Sequence, residues 1–172
     1  MRNITLKLRL PGYLRQWLTH CYGDPVRFPN RSYEHLLLRR YLRKPPAGYI
    51  PKKTTPDEVA IIIPDNDLHR PEYYHHLGRD GYRLLCDGID NLFRLSLWRE
   101  CFPLLATPGQ LNKGLDDWCA AHGIALDYRE AVRQKFYRMR RAYDDFGIFL
   151  GKKYAKSNHA NGEFRTPTNK MY

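Results

Sequence analysis

The chain has 172 residues, of which 42% are apolar and 27% are charged, and its formal net charge is +11. This composition is typical of a folded globular protein, and the length allows one sizeable core or a small module joined to a larger one. The longest apolar run, residues 59–64, is far shorter than the ~20 residues of a membrane-spanning helix, and the N-terminus lacks the apolar block of a signal peptide. We therefore expect a cytoplasmic protein with no membrane partner.

The positive charge is concentrated in two segments of the chain. Residues 1–53 contain 12 Lys or Arg and 2 Asp or Glu, and residues 128–156 contain 9 Lys or Arg and 3 Asp or Glu. Residues 54–127 between them are acidic, with 6 Lys or Arg and 12 Asp or Glu. Two concentrated basic segments favour surfaces that contact phosphate, while basic faces that are solvated or fold back on the acidic middle are the alternative. We expect a nucleic-acid partner, with double-stranded DNA as the preferred form.

The first basic segment predicts a strand and two helices. Apolar residues at positions 4, 6, 8 and 10 alternate with polar ones, which is the period of a half-buried strand. Pro11 suits a first helical turn, and Gly23 provides the end of that helix. Ser32 is a good N-cap for a second helix, which Pro45-Pro46 limits.

These residues carry a resemblance to a known family. The run Ile4-Thr5-Leu6-Lys7-Leu8-Arg9-Leu10-Pro11, with Arg31-Ser32 leading into a leucine-rich helix, resembles the ribbon-helix-helix DNA-binding proteins over residues 4–44. In that family the strands of two chains form a ribbon in the major groove, and alternate side chains contact bases. The resemblance implies a homodimer, base contacts from Thr5, Lys7 and Arg9, and phosphate contacts from Arg31 and Ser32. The alternative is an ordinary strand packed on two helices.

The remaining organisation follows from composition. Residues 47–57 are rich in proline and lysine and predict a linker between a basic module, 1–46, and a helical domain, 58–156. Residues 157–172 are polar and predict a flexible tail.

Within the predicted helical domain, an apolar run near 59–63 predicts a short buried strand. The pattern from about Asp80 to Phe102 predicts a long helix, in which Gly81 and Gly88 are weak points. The fold class we expect is mostly α, of the α+β type, with a short N-terminal strand and about six helices.

The second basic segment resembles a helix-turn-helix over residues 107–144. Thr107 and Pro108 form an expected helix start, and Gly123 forms its end. Asp127 and Glu130 have the spacing of a capping box for a second helix, which the resemblance makes the recognition helix. A plain helical hairpin with solvated arginines is the alternative. The DNA-contacting residues expected here are Arg129, Arg133, Lys135, Arg138, Arg141, Lys152 and Lys153.

An enzymatic alternative depends on four residues that follow the predicted buried strand, namely Asp65, Asp67, His69 and Glu72. Carboxylates in such a position can hold Mg²⁺ for phosphoryl transfer, so a metal-dependent nuclease is the alternative function. The same residues are also ordinary turn chemistry, and no glycine-rich phosphate loop or Ser-His-Asp arrangement accompanies them. We expect no enzyme activity, no cofactor and no metal.

The function that these patterns favour is non-enzymatic DNA binding, as in a transcriptional regulator or an accessory protein of a phage or mobile element. A second alternative is a binder of single-stranded nucleic acid or RNA. Its basis is the chain's 13 tyrosines, which are interleaved with arginines and are able to stack on bases. The four cysteines lie far apart without the spacing of a zinc site and predict free thiols.

Overall fold

The computed structural model describes residues 4–50, 55–66, 69–107 and 109–146. In this part of the chain the strands are β1 (Thr5–Arg9), β2 (Leu42–Arg43), β3 (Glu58–Ile62) and β4 (His76–Leu77). The α-helices are α1 (Gly12–Tyr22), α2 (Tyr33–Tyr41), α3 (Arg79–Cys101), α4 (Leu111–Ala121) and α5 (Arg129–Asp145). Two 3-10 helices, Phe102–Ala106 and Leu126–Tyr128, precede α4 and α5. The predicted mostly helical α+β fold is confirmed. None of the helices described has the length and apolar character needed to cross a membrane.

The N-terminal strand β1 pairs with β3 of the same chain. The two strands are antiparallel, with Thr5 opposite Ile62 and Arg9 opposite Glu58. Leu8 is fully buried while Arg9 is exposed, as the alternation of side chains along a strand requires. On the outer edge of β1, the Arg9 N–H donates to Tyr82 Oη at 2.9 Å. Because β1 has a partner strand within its own chain, the main reason to expect pairing with a second chain is removed.

Helix α3 continues without a break through both of its glycines. A Cβ on Gly81 would lie 2.5 Å from Leu77 Cδ2 and 2.7 Å from Tyr41 Cβ, and one on Gly88 would lie 3.2 Å from Tyr33 Cε1. The glycines therefore allow α2 to approach α3 closely. The first residue of α2 lies at Gly88 and its last at Gly81, so the two helices are antiparallel.

One hydrophobic core includes residues from both sides of the predicted linker at 47–57. Trp17 of α1 meets Phe93 of α3 edge to face, with 5.3 Å between ring centroids, and Phe93 meets Trp118 of α4 at 5.6 Å. Phe136 of α5 is fully buried in the same core. Aromatic rings in such edge-on contacts combine large apolar area with a favourable electrostatic arrangement. Described residues on both sides of 47–57, from Leu8 to Phe136, therefore contribute to one core.

The end of α4 is a Schellman motif, as Gly123 predicts. Gly123 has a φ of 68°, and its N–H donates to the Ala120 carbonyl at 3.2 Å. The next N–H, of Ile124, donates to the Cys119 carbonyl at 2.9 Å. Glycine adopts this left-handed conformation at no steric cost, which is why it ends the helix here.

The starts of α4 and α5 differ from the predicted caps. Thr107 follows the first 3-10 helix, and α4 begins later, at Leu111, while Pro108 lies outside the described residues. Asp127 lies within the second 3-10 helix, and α5 begins at Arg129 with no side-chain cap. The preceding turns explain the difference, because their i to i+3 hydrogen bonds order the chain ahead of each helix.

Candidate nucleic-acid interface

The polar face of β1 contains the three residues predicted to contact bases. Thr5, Lys7 and Arg9 alternate with the buried leucines and therefore share one face of the strand. Thr5 and Lys7 are half-buried, and only the Arg9 side chain is largely exposed, at 70%. Arg9 Nη2 lies 3.4 Å from Asp57 Oδ2, and Arg15 contacts the same carboxylate. An exposed pair of this kind contributes at most about 1 kcal/mol, so Arg9 stays accessible to an anion.

Arg31 and Ser32 lie at the start of α2. Ser32 Oγ accepts the His35 N–H at 3.2 Å, so the predicted N-cap is confirmed. Arg31 has a φ of 67°, which is uncommon for a residue with a side chain, and its N–H donates to His35 Nδ1 at 3.4 Å. The Arg31 side chain is exposed, whereas the His35 side chain is buried.

A cleft of about 840 Å³ opens beside this helix start. Asp65 and Glu72, two residues of the nuclease alternative, both line it together with His35. His69 instead lies against Tyr74, with 4.5 Å between ring centroids. Asp67 is outside the described residues. Across residues 4–50, 55–66, 69–107 and 109–146, no group of three His, Cys, Asp or Glu side chains is placed to hold a metal ion.

On α5, ion pairs within the chain occupy two of the predicted DNA contacts. Arg133 forms a bidentate pair with Asp116 of α4, in which its Nε lies 3.1 Å from Oδ1. The Lys135 ammonium pairs with Asp90 of α3 and donates to Tyr13 Oη at 3.1 Å. Both side chains are less than a third exposed. These two cations therefore hold α5 against its neighbours.

The other predicted residues of the second basic segment differ in exposure. Arg138 and Arg141 are exposed on α5, whereas Arg129 is half-buried and its Nε is enclosed. Lys152 and Lys153 lie outside the described residues. The connection from α4 to α5 spans residues 122–128, which is longer than the roughly 3–4 residues of a helix-turn-helix turn. Arg138 and Arg141 are thus the accessible pair on this helix.

A set of exposed cations, none of them among the predicted DNA contacts, lies where α2 ends and α3 begins. These residues, which we call the basic end, are Arg39, Arg40, Arg43, Lys44, Arg79 and Arg83. The pairing of β2 with β4 joins the segments, with Arg43 opposite His76. A Cβ on Gly78 would lie 3.3 Å from Arg43 Cζ, so this guanidinium lies against the N-terminus of α3. Within the described residues, none of the six forms an ion pair.

Aromatic side chains border the basic end. The Lys44 ammonium lies 5.6 Å from the centre of the Tyr74 ring. The Tyr49 ring meets His76 edge to face at 5.1 Å, and His76 is the residue opposite Arg43. Tyr49 is 42% exposed. Cations and flat apolar rings therefore share one surface.

The sequence contained only part of the signal for this surface. Arg79 and Arg83 are one helical turn apart and must share a face of α3, but they belong to the segment with net negative charge. Their proximity to Arg43 depends on the antiparallel packing of α2 on α3, which charge counting along the chain does not reveal.

Comparison with known proteins gives no relative for the chain. No protein-family model matches it, and no curated protein or solved structure matches it. Its function has to be inferred from the residues of the interface.

Proposed function

We propose that this chain binds DNA and that the basic end contacts the phosphate backbone. The observation that carries the proposal is the group of six exposed cations without an ion pair among the described residues. Lysine and arginine side chains that neutralise phosphates release condensed counterions, and this release supplies most of the affinity of sequence-independent binding. Cations that are already paired within the protein, such as Arg133 and Lys135, contribute less binding free energy, because a phosphate must replace their existing partner.

The chemistry of the individual residues supports phosphate contact. Five of the six cations are arginines, whose planar guanidinium donates two parallel hydrogen bonds to a phosphate. Arg43 lies at the N-terminus of α3, where unpaired N–H groups add a partial positive charge. Contacts of this kind fix the position of a protein on nucleic acid and carry no base sequence information. Any base reading is the role of another surface, and Arg9 on β1 and Arg138 on α5 are the accessible side chains for it.

Three variants with the same loss of charge test the location of the interface. We expect Arg43→Gln with Arg79→Gln to weaken DNA binding and to make the slope of log K against log salt shallower by about 2. The matched controls are Arg138→Gln with Arg141→Gln, and Lys7→Gln with Arg9→Gln. Each control removes the same charge from a surface that the sequence predicted, and we expect each to change the slope less.

The titration also provides the outcomes that count against the proposal. A wild-type slope shallower than about −2 would mean that few phosphates are contacted and would overturn DNA binding as the function. If a control variant makes the slope of log K against log salt shallower than the basic-end variant does, the interface would be assigned to β1 or α5. Circular dichroism of each variant confirms that it is folded.

A further inference from the structure

We infer that the basic end binds unpaired nucleotides, one of whose bases stacks on Tyr49 while Arg43 and Lys44 contact their phosphates. This inference rests on the DNA-binding function proposed above and specifies the form of nucleic acid that the same surface accepts. The exposed ring of Tyr49, which packs on the residue opposite Arg43, carries it. Tyr49 is 42% exposed.

The arrangement of rings and charges follows from the short β2–β4 pair. Arg43 and His76 are opposite one another in this pair, and Tyr49 packs edge to face on His76 at 5.1 Å. Lys44 follows Arg43 in the chain, and its ammonium lies 5.6 Å from the centre of the Tyr74 ring. Arg43 therefore lies opposite an imidazole that packs on Tyr49, and the Lys44 ammonium lies beside the Tyr74 ring.

A double helix does not use such rings well. In a duplex each base is covered on both faces by its neighbours, and a protein reaches only base edges in the grooves. An unpaired base exposes its flat face, and stacking on an aromatic side chain contributes roughly 1–3 kcal/mol per base regardless of sequence. Exposed tyrosines therefore favour a single strand.

The shape of the surface supports the same form. A protein reads the major groove with a helix or a two-stranded ribbon that enters it. The basic end instead combines the C-terminus of α2, the first turns of α3, two strands of two residues each, and the segment that contains Tyr49. A flexible single strand can follow this irregular surface, with phosphates and bases meeting cations and rings in turn.

The chemistry is common to single-stranded DNA and RNA, so both are used as probes. The experiment measures binding of fluorescein-labelled oligo(dT) and oligo(U), each of about 16 nucleotides, and of a duplex of equal length at the same salt concentration. We expect either single strand to bind more tightly than the duplex. Tighter binding of oligo(dT) than of oligo(U) is the result expected from the DNA-binding function, and the reverse order would overturn DNA as the polymer while leaving the preference for unpaired nucleotides intact. Stronger duplex binding would overturn the inference.

Variants of the rings separate stacking from charge. We expect Tyr49→Ala to weaken single-strand binding about 5- to 150-fold, which corresponds to the stacking energy of one base. The slope of log K against log salt should stay unchanged, because no phosphate contact is lost. Tyr49→Phe keeps the ring and should retain the affinity. The matched control, Tyr143→Ala, removes a tyrosine of α5 that is 41% exposed, and should have no effect.

The outcomes distinguish this inference from the function on which it rests. Unchanged binding by Tyr49→Ala, with weaker binding by the Arg43 and Arg79 variant, would overturn stacking and leave DNA binding intact. Weaker binding of duplex and single strand to the same extent by Tyr49→Ala would also overturn stacking. Failure of every probe to bind would overturn both.

Discussion

His35 shows how the fold changes the chemistry of a single residue. Its imidazole is buried and its Nδ1 accepts the N–H of Arg31 at 3.4 Å, which requires that nitrogen to be unprotonated. Burial lowers the pKa of His35 below its ordinary value of 6.5, and the nearby Arg39 guanidinium lowers it further. The folded protein therefore holds this side chain neutral.

A pH dependence of stability follows from the lowered pKa of His35. Below pH 6.5 the unfolded chain binds a proton at this residue that the folded protein does not bind, so the unfolding free energy should fall as the pH falls. We expect His35→Asn, whose Oδ1 can accept the Arg31 N–H, to remove part of that fall. Urea unfolding at several pH values from about 7.5 to about 5 measures the slope of the unfolding free energy against pH for the wild type and for the variant. Equal slopes in the two proteins would show that His35 does not titrate in this range.

Single residues also mark the limit of what the sequence reveals about the site. Arg133 and Lys135 were predicted DNA contacts because they lie off the apolar stripe of α5. Their partners, Asp116 and Asp90, come from other helices, and no local pattern identifies a partner that is distant in sequence. The pattern of one helix predicts which side chains leave the core, and it does not predict what meets them.

At the scale of elements, the packing of α2 on α3 depends on glycine at one position more than at the other. A Cβ at residue 81 would collide with Tyr41 Cβ at 2.7 Å, and that atom cannot move without its backbone. At residue 88 the nearest atom belongs to the Tyr33 ring, which is 59% exposed and free to turn aside.

The two alanine substitutions should therefore differ in their effect. We expect Gly81→Ala to lower the unfolding free energy by about 1–3 kcal/mol, because the strain exceeds the gain in helix propensity. We expect Gly88→Ala to change it by no more than about 1 kcal/mol in either direction, because Tyr33 yields and alanine favours the helix. Chemical denaturation of both variants measures the difference. A smaller loss of unfolding free energy for Gly81→Ala than for Gly88→Ala would contradict this account of the helix contact.

Elements with a strong local pattern were predicted from the sequence, and their partners were not. The alternation in residues 4–10 and the apolar run at 59–63 predicted β1 and β3. Their pairing was not predicted, because strand pairing depends on contacts between residues far apart in sequence. The continuity of α3 was uncertain for the same reason, because the close contacts that require its glycines are made by α2.

For the whole molecule, the shared core has consequences for the cysteines. Cys101 and Cys119 are buried and free. Burial raises the pKa of Cys101 to about 12 and that of Cys119 to about 11, with Glu100 and Asp116 as lesser causes. The thiolate is the reactive form of cysteine, so both residues should be inert in the folded protein.

Thiol labelling should then report unfolding of the molecule as one unit. At a pH of about 8 we expect a thiol reagent to label exposed Cys21 first, and to reach Cys101 and Cys119 only on unfolding. Because the core is continuous, the urea midpoint for labelling these two should coincide with the midpoint from circular dichroism. Mass spectrometry of the labelled peptides identifies each site. A lower midpoint for Cys119 would show that α4 separates before the rest.

Charge also has to be summed over the whole molecule in space. The division along the chain predicted two basic surfaces, one from each end of the sequence. The basic end combines Arg39, Arg40, Arg43 and Lys44 of the first segment with Arg79 and Arg83 of the acidic middle. Distance in three dimensions, rather than position in the sequence, decides which charges a phosphate meets.

The pairing of β1 with β3 also affects how the protein reaches its native state. During synthesis β1 leaves the ribosome before β3, which follows only after α1, α2, β2 and the segment between β2 and β3. Until then the leucines of β1 have no strand to cover them, and the nascent chain exposes an apolar edge that chaperones recognise and that other chains can capture. Contacts between distant parts of a sequence also form slowly. β1 therefore stays without its partner strand until β3 has been made, and slower translation would lengthen its exposure.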